Sequence, residues 1–104
     1  MDRQEHLLVI LMEECAEVAK QSAKALRFGI DEQRDLPTSN RERLHQEWND
    51  ILGVVSMLED EGIHLYPDRD LINAKQEKVE KYLRYSAELG TLMDSKPASS
   101  AKGE

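Results

Sequence analysis

The chain has 104 residues and 11.9 kDa, the length of one domain with a modest core, which points to help from a second subunit. It is 39% hydrophobic and 34% charged, with one Trp and one Phe, a composition that fits long solvated helices better than a β-sandwich. Fourteen Lys and Arg stand against 21 Asp and Glu, so the formal charge of -7 disfavours nucleic acid as a partner, and the single Cys15 rules out an internal disulfide or a cysteine-built zinc cluster.

The first expected helix runs from about Asp2 to Phe28, with Gly29 placed to end it in a left-handed cap. Its apolar run from Leu7 to Met12 lacks a basic leader and a cleavage site and is followed at once by acids, so neither a signal peptide nor a membrane span is read there, and a cytoplasmic location is expected. The stretch IDEQRDLPTSN reads as a loop. Ser39 and Glu42 have capping-box spacing and start a second helix that extends to Gly62. A third helix begins after Pro67, with Asp68 or Asp70 as its N-cap, and is closed by Gly90. The ordered domain is taken as residues 1–90, and the small polar tail 91–104 is expected to be disordered. The fold class is therefore all-α, a three-helix subunit. Apolar arcs this wide require a homo-oligomer resembling a four-helix bundle, a homodimer or a dimer of dimers.

Helical arithmetic at roughly 100° per residue assigns the faces. On the first helix Leu7, Leu11, Val18 and Ala25 share a stripe that also holds Glu14, with Glu17 beside Ile10 and Glu13 further out towards Lys20 and Lys24. On the second, Leu44, Trp48, Ile51, Leu52, Val55 and Leu58 form the buried arc, with Glu47 at its edge and Asp50 between Val54 and Met57. Each acid pair is spaced by three residues and shares one face. Facing each other, the pairs would put four carboxylates in one partly buried site, where mutual repulsion calls for cations. Hard oxygen ligands without clustered His or Cys favour Mg²⁺, with Mn²⁺ as the alternative, and such ions suit a phosphate substrate. Against this, acid pairs at this spacing are common in a chain with 21 acids, and a lone pair is usually a solvated edge.

EECAE followed by EWND resembles the E-x-x-E and E-x-x-D signature of the MazG-like all-α nucleoside triphosphate pyrophosphohydrolases. The flanks AKQSAKALRFG, ILGVVSMLEDEGI and KVEKYLRYSAELG look like small single-domain members of that superfamily, over about residues 5 to 90. The resemblance implies that Glu14, Glu17, Glu47 and Asp50 hold Mg²⁺. It also implies hydrolysis of a nucleoside triphosphate to the monophosphate and pyrophosphate, with Glu13 orienting or deprotonating the attacking water. Phosphoribosyl-ATP and dUTP are the alternative substrates within the superfamily.

Outer phosphates call for cationic donors. Lys75 falls inside the third helix's apolar arc of Ile72, Val79, Tyr82, Leu83 and Leu89, with Lys78 at its edge and Lys24 following the first acid pair. These are the expected phosphate contacts, weighed against simple snorkelling of their ammonium groups into water. Trp48 could stack on a nucleobase, although a lone Trp at this spacing more commonly packs in a core. Cys15 reads as a small buried hydrophobe, and the scattered His6, His45 and His64 carry no chemistry. A competing reading is a non-catalytic oligomerisation module whose acids pair with Lys20, Lys24, Lys75 and Lys78.

Overall fold

A computed structural model describes residues 1–93 as three helices with no strand among them: α1 (Arg3–Phe28), α2 (Asn40–Asp60) and α3 (Arg69–Glu88). The part of the expected disordered tail beyond residue 93 lies outside the described residues. None of the described helices is long and apolar enough to cross a membrane. The chain divides into two compact units, Met1–Leu65 and Tyr66–Glu104.

The helix starts are written in capping side chains. Asp2 accepts from the Glu5 amide at 2.8 Å while Glu5 accepts from the Asp2 amide at 2.9 Å, and Ser39 and Glu42 make the same reciprocal pair at the head of α2. Asp68, rather than Asp70, caps α3 through the Leu71 amide.

Two helix ends use glycine as expected. Gly62 has φ 93°, with the amides of Gly62 and Ile63 returning to the carbonyls of Glu59 and Leu58, and Gly90 has φ 81° with the equivalent bonds from Gly90 and Thr91. Both are Schellman endings, in which the residue past the last turn must be left-handed. Gly29 departs from the expected left-handed cap. Its φ of 109° with ψ of 139° leads the chain straight out after one bond to the Ala25 carbonyl.

In the first unit α1 and α2 form an antiparallel hairpin. The start of α1 meets the end of α2, where the Arg3 guanidinium holds the Glu61 carboxylate at 2.7 Å and the Gln4 amide donates to the Glu61 carbonyl. The core is Leu7, Val54 and Leu58, with Ile10, Leu11 and Ile63 packed against it. Leu58 is 0% exposed, and burying a leucine fully stabilises by about 2 kcal/mol.

The apolar arc of α2 is narrower than the periodicity suggests. Ile51, Val54 and Leu58 are buried, whereas Trp48 is 50% and Leu52 46% exposed. One α1 stripe covers only one side of α2, so side chains further round the helix stay in contact with solvent. Cys15 is likewise exposed, not buried, because it sits one helical step beyond Glu14 and away from α2.

The second unit carries α3. The helix α3 has no buried residue: Ile72 is partly buried, while Val79, Tyr82, Leu83 and, just past its end, Leu89, expected as a packed arc, are exposed.

Candidate metal centre

Midway along the hairpin, Glu14 of α1 faces Glu47 and Asp50 of α2. Each offers a carboxylate oxygen, these oxygens all lie within 4.8 Å of one another, and all three side chains are partly buried. The register follows from the core. Leu7 and Leu11 pack two turns and one turn before Glu14 on its stripe, and Val54 and Leu58 one and two turns after Asp50, so closing the core delivers the acids to the same level.

The electrostatics are those of an uncompensated cluster. Partial burial raises the Glu47 carboxyl above its ordinary range, aided in order by the charges of Glu17 and Asp50, a hydrogen bond with Asp50 and the charge of Glu14. Asp50 accepts a hydrogen bond from the Gln46 amide at 3.0 Å. Among the described residues the ion pairs are Arg3 with Glu61 and Arg41 with Asp31, and neither involves this cluster.

The donor set fits a hard divalent cation. Octahedral Mg²⁺ takes oxygens at about 2.1 Å, so trans ligands stand about 4.2 Å apart, and a cluster no wider than 4.8 Å needs only small side-chain adjustments to close on one ion. Thiolate and imidazole are absent from it, which disfavours zinc.

The structure brings together three of the four expected ligands. Glu17 is exposed and outside that group of three, although near enough for its charge to act on Glu47. Glu13 is exposed, as its helical position requires. Trp48 is half exposed on the step next to Glu47, so it is a surface side chain and not the core filler its spacing suggests. Lys24 is exposed on α1, two turns beyond Glu17. Lys75 and Lys78 are exposed on α3; Lys75 lines a shallow depression with Tyr66, Leu71 and Ile72 and is not enclosed by apolar neighbours.

A second polar assembly, at the loop end of the hairpin, was not anticipated from the sequence. Asn40, 1% exposed, donates from its amide nitrogen to the Gly29 carbonyl at 2.8 Å and to Glu32 at 3.2 Å. Its amide oxygen accepts from buried Gln21 at 3.0 Å and from the Arg43 guanidinium at 2.8 Å. Arg43 also donates to the carbonyl and hydroxyl of Thr38. Every hydrogen-bonding capacity of the Asn40 side chain is used, so this buried amide is inexpensive. The one readable signal was the position of Asn40 immediately after the N-cap; its partners come from α1 and the loop and have no local signature.

No family model, no curated protein and no solved structure matches this chain.

Proposed function

We propose that the protein is a divalent-metal-dependent nucleotide pyrophosphohydrolase of MazG-like character, which hydrolyses a nucleoside triphosphate to the monophosphate and pyrophosphate. The observation that carries this reading is the meeting of Glu14, Glu47 and Asp50 in a partly buried cluster that contains no cation among the described residues. Repelling carboxylates held by a packed hairpin gain most from an exogenous ion. Glu14, Glu47 and Asp50 would hold Mg²⁺ or Mn²⁺, with Glu17 the adjacent fourth carboxylate; when bound, the ion supplies charge neutralisation for phosphate and acidifies a water. The hairpin's part is to fix these carboxylates against one another, and Glu13 remains the candidate for accepting a proton from water.

Phosphoribosyl-ATP and dUTP fit the same chemistry. Exposed Leu8, Met12, Trp48, Leu52 and Met57 on the first unit, and Leu71, Tyr82 and Leu89 on the second, support assembly as a homo-oligomer. A non-catalytic salt-bridge module is the less favoured alternative, because Lys20, Lys24, Lys75 and Lys78 make no ion pair among the described residues. The exposed thiol of Cys15 suits a reducing, cytoplasmic setting.

The test is release of pyrophosphate from a panel of nucleoside triphosphates with Mg²⁺. Glu47→Gln and Asp50→Asn are expected to reduce release to background with the helical circular dichroism unchanged. Near-normal turnover in either variant would remove the cluster from the chemistry.

A further inference from the structure

The junction where α1 leaves off and α2 begins frames an open cavity of ≈ 410 Å³, within the size range of small-molecule pockets. Its walls are of two kinds. Lys24, Arg34 and Arg43 bring three cations, whereas Phe28 and Leu36 bring apolar surface, 54% and 53% exposed. The one acid in the lining, Glu32, already accepts a hydrogen bond from Asn40. This is a local positive excess in a chain whose formal charge is -7.

The cations differ in readiness. Arg43 is fixed by its bonds to Thr38 and Asn40, while Lys24 and Arg34 have no hydrogen bond or ion pair among the described residues. The Arg27 guanidinium lies 4.8 Å from the Phe28 ring centroid and steadies that ring from one side. The loop around Arg34 is held by bonds from the Leu36 amide to the Gln33 carbonyl and from the Asn40 amide to the Glu32 carbonyl.

The cavity also has a place relative to the acids. Along α1, Glu14, Glu17, Gln21, Lys24 and Phe28 follow at steps of three or four residues, and along α2 Arg43 precedes Glu47 by four, so cluster and cavity lie on one continuous face of the hairpin. The Gln21 to Asn40 bond lies between them.

We infer that this cavity is a mononucleotide subsite, in which Lys24 and Arg34 take an anionic phosphate and Phe28 and Leu36 take the flat base. Phosphate calls for unpaired cationic donors, and a base calls for an accessible aromatic and aliphatic wall; the cavity offers both in one lining. The subsite deepens the pyrophosphohydrolase reading and rests on it only for the choice of a nucleotide over other aromatic anions.

The test uses the full chain in EDTA, where the carboxylate cluster cannot recruit a metal. Adenosine monophosphate, uridine monophosphate, their nucleosides and inorganic phosphate are titrated by calorimetry and followed by amide chemical shifts. At least one monophosphate is expected to bind more tightly than its nucleoside and than phosphate, with shifts centred on Phe28, Arg34 and Leu36, and more weakly at higher salt. Lys24→Ala and Arg34→Asn should each weaken the monophosphate about fivefold and leave the nucleoside unchanged; asparagine tolerates the left-handed φ of 54° at position 34. Phe28→Ala should weaken both.

Absence of binding, inorganic phosphate binding as well as the monophosphate, or unchanged affinity in the Lys24 and Arg34 variants would overturn the subsite. The two readings fail separately. Binding in EDTA without pyrophosphate release in Mg²⁺ leaves the subsite and removes the hydrolase, and release in Mg²⁺ without binding in EDTA or any effect of these variants on KM does the reverse.

Discussion

The hairpin holds polar side chains between its helices in two places, and it treats them in opposite ways. Near the loop, Asn40 has a partner for each donor and acceptor it owns. At mid-length, Glu14, Glu47 and Asp50 face one another as like charges, and outside the cluster it is Gln46 that donates to it, through Asp50. A fully satisfied network stabilises a fold and fixes its register. A cluster of like charges costs stability in the absence of a ligand, which is what makes it a candidate site. The contrast separates the part of the interface that builds the hairpin from the part proposed to bind a metal.

Mutations should expose that difference. The largest effect is expected from Asn40→Ala, which removes the shared partner of Gln21, Arg43, Glu32 and Gly29 and leaves buried groups unpaired; a loss of about 3 kcal/mol in urea unfolding would fit. If that variant melts like the parent, the network is not what holds the loop to the helices.

The opposite sign is expected at the acids. Glu47→Gln removes one of the repelling charges, so in metal-free buffer its melting temperature should rise, by roughly a few degrees. Mg²⁺ at millimolar concentration should raise the melting temperature of the parent through binding to the folded state, and should not do so for Glu47→Gln. Equal response of both proteins would show that the ion acts elsewhere.

A smaller effect concerns pH. The folded-state pKa of Glu47 is raised, so the folded state favours its protonated form; that stabilisation is present below the ordinary glutamate range and is lost as pH rises through the raised value. Metal-free parent protein should therefore lose stability on going from about pH 4.5 into the neutral range relative to Glu47→Gln, with Mg²⁺ reducing the difference. The least effect is expected from Arg41→Ala. Its partner Asp31 is exposed, and although the guanidinium holds that carboxyl below its usual range, the pair is screened by solvent and the melting curve should be unchanged.

What the amino-acid order revealed was whatever a single helix can encode. Ser39 and Glu42, three residues apart, marked the α2 start, Gly62 and Gly90 marked two ends, and periodicity put Glu14 among Leu7, Leu11 and Val18. What it concealed depends on the neighbour. Periodicity gave Trp48 and Leu52 an apolar face, but whether that face is covered depends on the width of α1. The same applies to Glu17, which shares the spacing of its pair yet is exposed and stands outside the cluster. The Gln21 to Asn40 bond joins residues from different helices through an intervening loop, a pairing to which no spacing rule applies.

Cys15 is the chain's one thiol, is exposed, and directly follows Glu14 on α1. It is a natural attachment point for a spectroscopic reporter. A nitroxide placed there would stand next to a Mn²⁺ ion held by Glu14, Glu47 and Asp50, and paramagnetic coupling between them would give the ion's position without any substrate or turnover.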